Sequence, residues 1–227
     1  MGIFTTIKAR NAAVMYSKGD VDGAMKLYKE AMNEGLKDLR YILSYSALLI
    51  RQGHFQEARD LLVKVQKYPM SDDQKRQLFV NYASCVYKMG EIEKGLDLLE
   101  RQHQKQPSGI VYETLGYLYV EAGNAEKALP FNLEALEYDD EDPIVLDNLG
   151  QTYYRLLGDK EKAKEYFEKA IELKPGQIDT LYFLSQYDIE TGDKAAAKEK
   201  LEKALEGRFS PLNYVTRETV ENLIKSL

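Results

Sequence analysis

Residues 146–175 read LDNLGQTYYRLLGDKEKAKEYFEKAIELKP and carry small residues at Gly150 and Ala163, where amphipathic helices usually place larger side chains. The larger apolar residues of this stretch recur at helical spacing: Leu146, Leu149, Tyr153 and Phe167. Gly158 interrupts the pattern, and Asp159 can cap a second helix that starts after it. Because two helices approach most closely where neither carries a bulky side chain, the stretch predicts a helical hairpin that crosses at Gly150 and Ala163.

The same pattern recurs along the chain. A glycine ends the first helical pattern of each copy, at Gly19, Gly53, Gly90, Gly123, Gly158 and Gly192. A small residue follows each glycine after five positions: Ala24, Ala58, Gly95, Ala128, Ala163 and Ala197. Equivalent starts at 5, 39, 76, 109, 143 and 178 give pitches of 34, 37, 33, 34 and 35 residues. A period near 34 predicts an all-α array of helical hairpins.

These residues resemble the tetratricopeptide repeat (TPR), whose signature includes L-G-x-x-Y on the first helix and A-x-x-x-F on the second. The copy at 146–175 matches it at Leu149, Gly150, Tyr153, Ala163, Phe167 and Pro175. The resemblance implies a right-handed superhelical solenoid of six TPR helix-turn-helix units. The expected units are 5–38, 39–75, 76–108, 109–142, 143–177 and 178–211. Residues 212–227 carry apolar positions at mostly helical spacing and are expected to form a C-terminal capping helix.

Five features depart from the family pattern. Lys8 takes the position of the family's tryptophan, in the terminal unit where atypical residues are expected. Asn132 replaces the family's phenylalanine and Asp188 its tyrosine, so each needs a polar partner if it is buried. Pro130 predicts a kink that faces solvent in the second helix of its unit. The pair at 156–157 adds one residue before the turn, which predicts a wider turn or a local bulge.

The composition excludes several classes of function. The chain has 227 residues, with 31 Lys and Arg against 37 Asp and Glu, and a net charge of −6. Nucleic-acid binding usually needs a basic face, so we expect no nucleic-acid partner. No apolar run approaches the roughly 18 residues of a membrane span, so we expect no membrane association. The single cysteine and the absence of a signal-peptide core in the first 20 residues predict a cytoplasmic protein.

The sequence offers little for catalysis. His54 and His103 fall in different units and are expected to be solvated, because no clustered metal ligands accompany them. Cys85 is expected to be a small buried residue rather than a reactive thiol. The glycines stand singly at turns and form no phosphate-binding loop. We therefore predict no enzymatic activity, no metal and no cofactor.

The family resemblance implies that the first helix of each unit lines the inner wall of a groove. Transferring the family's groove positions gives a predicted partner-binding wall: Arg40, Arg51, Tyr87, Lys88, Glu113, Tyr117, Glu121, Asp147, Asn148, Gln151, Tyr154, Asp179, Tyr182 and Glu190. The Lys and Asn pattern with which some members of the family clamp a terminal carboxylate is absent, so binding of chaperone tails is not expected.

Two interpretations of this wall remain open. Its tyrosines could bind a partner or could pack between neighbouring helix pairs, as Tyr45, Tyr82, Tyr119 and Tyr153 are expected to do. Residues 1–113 carry 17 basic and 14 acidic side chains, whereas residues 114–227 carry 14 and 23. This asymmetry predicts a wall with a basic and an acidic end, unless the acids only solvate the surface.

Two functions from different classes fit the sequence. The first is a non-catalytic scaffold that binds an extended peptide or partner helix of another protein in the groove. The second is a self-associating assembly protein whose groove or repeat ends mediate homo-oligomerisation. Ile3, Phe4 and Ile7 at the amino end are candidates for such a contact.

Overall fold

The computed structural model describes residues 2–227, and in that range it is helical without strands. The predicted all-α fold is confirmed. Twelve α-helices precede a thirteenth at the carboxyl end of the described chain. Their bounds are α1 Gly2–Ser17, α2 Val21–Asn33, α3 Leu39–Arg51, α4 Phe55–Val65, α5 Asp72–Lys88, α6 Ile92–Lys105, α7 Gly109–Glu121, α8 Ala125–Tyr138, α9 Pro143–Gln151, α10 Lys160–Leu173, α11 Ile178–Thr191, α12 Lys194–Leu205 and α13 Arg217–Ser226.

The turns between paired helices follow the predicted chemistry. All six predicted turn glycines have positive φ, a conformation that residues with a β-carbon rarely adopt. The residue after the glycine then caps the next helix in four turns, through a side-chain oxygen that accepts a backbone N–H. These caps are Asp20, Asn124, Asp159 and Asp193.

The chain divides into two compact units, Met1–Leu98 and Leu99–Leu227, with the boundary inside α6. In the amino-terminal unit, buried apolar side chains of α3, α4 and α5 build the core around Leu49, Leu62 and Val86. In the carboxy-terminal unit, Leu149, Phe167 and Phe183 belong to one core cluster. The proposed division into six sequence units stays a prediction.

The small residues of the repeat make room for atoms of the partner helix. A β-carbon on Gly150 would lie 2.5 Å from ring atoms of Phe167, and one on Gly95 would lie 3.1 Å from the carbonyl oxygen of Ala83. The atoms nearest to a β-carbon at position 150 are therefore those of the Phe167 ring, and the expected crossing with Ala163 stays a prediction. The ring cannot easily move aside, because it is buried and stacks on Phe183 with centroids 5.0 Å apart.

The extra residue near Gly158 is absorbed as predicted, by a local bulge. Thr152–Leu157 forms a π-helical segment that continues α9. The N–H of Asp159 donates to the carbonyl of Tyr153 at 3.0 Å, which closes the widened turn. Pro130 lies within α8 and is exposed, as expected.

Each of the three polar departures has at least one polar partner, whereas the Oδ1 atom of Asn132 is buried without a hydrogen bond. Lys8 is half-buried and pairs with Glu30 and Glu34. Asp188 accepts from the amine of Lys200 at 2.6 Å. Asn132 is buried and donates to the carbonyl of Gly116 at 3.4 Å and to Thr152 Oγ1 at 3.3 Å.

Four tyrosines were expected in the core. Tyr45, Tyr119 and Tyr153 are buried, and Tyr82 is half-buried.

Within the segment 212–227, where a capping helix was predicted, α13 forms at Arg217–Ser226, whereas residues 212–216 are not helical. Val220 of α13 is fully buried and packs in a cluster with Leu201 and Ala204 of α12. Ile178 of α11 belongs to the same cluster, so α13 covers the apolar side of the last helix pair. This is the arrangement that a terminal repeat needs, because no further repeat stacks on it.

Replacing Gly150 with Ala should lower the free energy of unfolding by about 1 to 3 kcal/mol, because the new methyl group overlaps the buried Phe167 ring. Gly109→Ala is the matched control, since a β-carbon on Gly109 would meet no atom within 4 Å. Urea denaturation measures both. Equal stability of the two variants would contradict the packing described for Gly150.

Candidate functional site

Four residues of the predicted wall lie in the amino-terminal unit. Arg40 and Arg51 are exposed on α3, and the Arg40 guanidinium pairs with Asp38 at 2.7 Å. Tyr87 and Lys88 are half-buried at the end of α5, where the Lys88 amine lies 4.5 Å from the centroid of the Tyr87 ring. These four residues supply cations and one ring to the surface of the amino-terminal unit, and their role in a partner-binding groove stays a prediction.

In the carboxy-terminal unit, buried polar groups join the first helices of the pairs, α7, α9 and α11. Asn148 Nδ2 donates to the carbonyl of Glu113 at 2.9 Å. The carboxylate of Asp147 accepts from Thr180 Oγ1 at 2.5 Å and from Gln151 Nε2 at 2.7 Å. The sequence placed Asp147, Asn148 and Gln151 on an open wall, but their exposed fractions are 6%, 2% and 1%. Asp147 and Gln151 pair within α9, and the bonds to Thr180 of α11 and to the Glu113 carbonyl of α7 supply the buried partners between helices.

A non-helical segment contacts α7, α11 and the π-helical segment that continues α9. Residues 208–216, here called the return segment, connect α12 to α13. Within it the N–H of Asn213 donates to the carbonyl of Ser210 at 3.0 Å, and the N–H of Ser210 donates to Asn213 Oδ1 at 2.9 Å. Pro211 occupies the second position of this turn, where its fixed φ is favourable. The hydroxyl of Tyr117 on α7 donates to the carbonyl of Leu212 at 2.9 Å.

Asp179 of α11 binds the return segment through both carboxylate oxygens. Its Oδ2 accepts from Asn213 Nδ2 at 3.1 Å, and its Oδ1 accepts from the N–H of Val215 at 3.2 Å. Asp179 was predicted to face an open groove, yet only 9% of it is exposed. The segment supplies hydrogen-bond donors that a carboxylate in this position requires.

The ring of Tyr214 rests on the same surface. It stacks on Phe183 of α11 with centroids 5.0 Å apart, and Tyr182 lies 6.2 Å away. The Arg155 guanidinium lies 4.3 Å from the Tyr214 centroid, within range of a cation–π interaction. Arg155 is held by Glu121 Oε1 at 2.6 Å. The predicted wall residues Tyr117, Glu121, Asp179 and Tyr182 thus meet around one short piece of the chain.

Two further wall residues have other neighbours. Tyr154 is half-buried between helix pairs, with its centroid 5.1 Å from Phe183 and 6.4 Å from Phe167, so it packs as a core tyrosine. Glu190 is exposed at the end of α11 and pairs with Lys160.

Burial and neighbouring carboxylates raise the pKa of three acids on this surface. Burial, followed by the charge of Asp179, raises the pKa of Asp147 to about 6. Burial also raises the pKa of Asp179 itself, against the hydrogen bonds from the return segment. Burial and the nearby Asp142 raise the pKa of Glu113 to about 7. A further negative charge is therefore unfavourable on this surface, whereas hydrogen-bond donors stabilise it.

Cys85 and His103, which were considered for catalysis, are packed among other side chains. Among residues 2–227, no three His, Cys, Asp or Glu side chains are grouped so that they could hold a metal ion. Cys85 is buried as expected, and burial raises the pKa of its thiol to about 12. His103 is not solvated as expected: its Nε2 lies 3.1 Å from Glu134, and its ring packs edge-on against Tyr112 and Phe131. No helix in the described range is both long and apolar enough to cross a membrane.

Comparison with known families decides the classification. A tetratricopeptide repeat model matches residues 145–177, and a second tetratricopeptide repeat model matches residues 5–69 and 42–139. Together these matches extend over more than half of the chain. The chain belongs to the tetratricopeptide repeat family. This membership confirms the resemblance that the repeat residues carried, and it assigns the chain to a family of protein-interaction scaffolds.

Solved structures share the TPR fold. A thermophilic TPR protein of Thermus thermophilus, TTC0263, is 19% identical, with a TM-score of 0.68 over 80% of this chain and 97% of its own. A structure of MamA is 23% identical, with a TM-score of 0.54 over 77% of this chain and 94% of its own. YrrB, described as a TPR protein with an unusual peptide-binding site, is 20% identical, with a TM-score of 0.50 over 77% and 88%. No curated protein matches the chain in sequence.

The TPR pattern did not reveal the return segment, because the family signature ends before it. Asn213, Tyr214 and the supporting Phe183 were absent from the predicted wall. The signal available in the sequence was the turn-forming Ser-Pro-Leu-Asn at 210–213, which stands directly before an aromatic residue. It predicts a turn, but a turn signal does not say which surface the turn contacts.

Glu113→Gln should stabilise the protein more at pH 8 than at pH 5. The folded-state pKa of Glu113 lies above the ordinary value of about 4.3, so protonation contributes stability below that value, and this contribution is lost as the pH rises through about 7. Glutamine removes the charge, and we expect a gap on the order of 1 kcal/mol at pH 8 after solvent screening. Urea titrations at both pH values measure the gap. Glu137→Gln, at an exposed position of α8, is the control, and an identical pH dependence of both variants would contradict the account.

Proposed function

We propose that this TPR protein is a non-catalytic scaffold that binds a peptide segment of another protein on one face of its carboxy-terminal unit. This face is formed by Tyr117, Arg155, Asp179, Tyr182 and Phe183, and is called the α7–α11 face below. The observation that supports the proposal is the return segment, a non-helical piece of polypeptide that already lies there. A surface that holds one such segment has the donors, acceptors and rings that another peptide would use.

The chemistry of the face favours a polypeptide ligand over other classes. It offers a tyrosine hydroxyl to a backbone carbonyl, a carboxylate to amide donors, and aromatic rings with an arginine to a side chain. Nucleic acid is disfavoured, since the acids of this unit would repel phosphates. The partner is therefore a protein, and its recognised part is short and irregular.

Tyr182→Ala should weaken binding of a natural partner at least 10-fold, because it removes a ring beside the Tyr214 position. The partner is first identified by cross-linking and mass spectrometry, and its affinity is then measured by calorimetry. Tyr138→Ala is the matched control, since Tyr138 is 55% exposed on the second helix of its pair. Thermal melts establish that both variants are folded. If the control loses affinity and Tyr182→Ala does not, the binding surface lies on the second helices.

Self-association through the amino end is a second candidate function. It is supported by the exposure of large apolar side chains on one end of α1, with Ile3 76%, Phe4 72% and Ile7 49% exposed. Exposed apolar side chains grouped in this way often mark a contact surface.

If α1 mediates self-association, the wild-type chain should form dimers or larger species whose fraction rises with concentration, and Phe4→Glu should yield monomers. Multi-angle light scattering across a 100-fold range of concentration tests this second candidate function. The control is Val63→Glu, at a residue 45% exposed on α4. A wild-type chain that is monomeric throughout the range excludes self-association by α1.

A further inference from the structure

We infer that the α7–α11 face recognises, in a separate partner protein, a turn-forming segment in which an amide side chain precedes an aromatic residue, and that the return segment competes for the face within the same chain. This inference rests on the proposed function and specifies its ligand. Three independent contacts with the return segment define the chemistry, and they involve side chains from more than one helix.

The first contact selects an amide. Asp179 is nine-tenths buried, and the side-chain amide of Asn213 donates a hydrogen bond to its carboxylate. The amide is neutral, so it brings no additional charge to the buried site. An aspartate at the same ligand position would place a carboxylate against the buried carboxylate of Asp179, where the structure has an amide donor at 3.1 Å. Like charges at this distance are costly where water is excluded, so an asparagine or glutamine is favoured and an acid is rejected.

The second contact selects an aromatic ring at the next position. Tyr214 stacks on Phe183 with an interplanar angle of 25°, and Arg155 lies over the same ring. The guanidinium is positioned in advance by Glu121 at 2.6 Å and by Gln151 at 2.8 Å. A flat ring therefore gains contacts with groups that are already ordered, which reduces the entropy lost on binding.

The third contact fixes the turn. Tyr117 donates to the carbonyl of Leu212, which lies between Pro211 and Asn213 in the turn. A ligand that cannot turn at this point cannot present its carbonyl to Tyr117 and its amide to Asp179 together. The recognised segment thus has the form Ser-Pro-x-Asn followed by an aromatic residue, or a close chemical equivalent.

The middle of the return segment keeps more of its surface in water than the flanking Val215 does. Pro211 and Tyr214 are exposed, and Tyr214 keeps 42% of its surface in water despite its contacts. The flanks are held separately, because Phe209 packs in the terminal core cluster and Val220 anchors α13 in it. Residues 210–214 can therefore leave the face while the flanking anchors stay in place, as segments with few buried contacts commonly do.

Intramolecular competition makes a quantitative prediction. A partner binds only the fraction of molecules whose face is open, so its apparent affinity is lowered by that fraction. Weakening the return segment should raise the affinity for a ligand of the same chemistry. A separate partner is favoured over the return segment of a second copy, because the second copy's segment is held in its own chain by the packing of Phe209 and α13 and would first have to leave its own face.

The test uses a fluorescent peptide of sequence RFSPLNYVT, which is residues 208–216, and the full chain in three forms: the wild type, a double variant and a single variant. The chain with Asn213→Ala and Tyr214→Ala should bind the peptide at least 10-fold more tightly than the wild type, measured by anisotropy. The single variant Tyr214→Ala, which removes a partly exposed ring, should change the affinity in the same direction. A peptide in which aspartate replaces the asparagine should bind the double variant at least 10-fold more weakly than the parent peptide.

Several results would overturn the inference. Equal binding of the parent peptide to the wild type and both variants would contradict the competition. Equal binding of the parent and aspartate peptides to the double variant would contradict the selectivity for an amide. Dimers of the wild-type chain that dissociate when the peptide is added would identify the return segment of a second copy as the occupant. These outcomes are separate from failure of the proposed function, which is judged by the natural partner and Tyr182→Ala. Calorimetric melts confirm that each variant keeps α13 packed.

Discussion

The buried carboxylate of Asp179 is the interaction on which the functional surface depends. A carboxylate removed from water must accept hydrogen bonds, and here both of its oxygens accept them from the return segment. This requirement ties a non-helical piece of chain to α11, and the same piece then reaches Tyr117 on α7 and the rings around Phe183. The face and the segment that covers it are therefore one structural feature.

The repeat architecture positions that feature. The helices of a pair pack closely because small residues admit atoms of the partner helix, as Gly150 admits the Phe167 ring. Phe167 in turn stacks on Phe183, which carries Tyr214. A packing rule that belongs to the TPR signature thus extends, through three stacked rings, to the surface where a ligand would bind. A substitution at Gly150 is therefore expected to shift the rings at the α7–α11 face as well as those in the core.

Much of this architecture could be predicted from the sequence. The period, the turn glycines and the Asp and Asn caps are local features, so the pattern of residues determines them directly. The bulge at 156–157 was predictable for the same reason, since one inserted residue must be absorbed near the turn. The groove residues were harder, because positions transferred from a family say which helix face a residue occupies but not what covers that face. Asp147 and Asp179 were therefore expected to be exposed, but both are buried. The return segment has no repeat period, and its docking depends on contacts between residues up to 95 positions apart in the chain.

The most direct test of the account is the exchange rate of the Val215 backbone amide, measured by NMR on the full chain. Because this N–H donates to buried Asp179, it should exchange roughly 100-fold more slowly than in the free peptide of residues 208–216. Asp179→Ala should abolish that protection while the amides of α13 stay protected. Exchange of the Val215 amide in the wild-type chain at the rate of the free peptide would contradict the account, because the return segment would then not occupy the α7–α11 face.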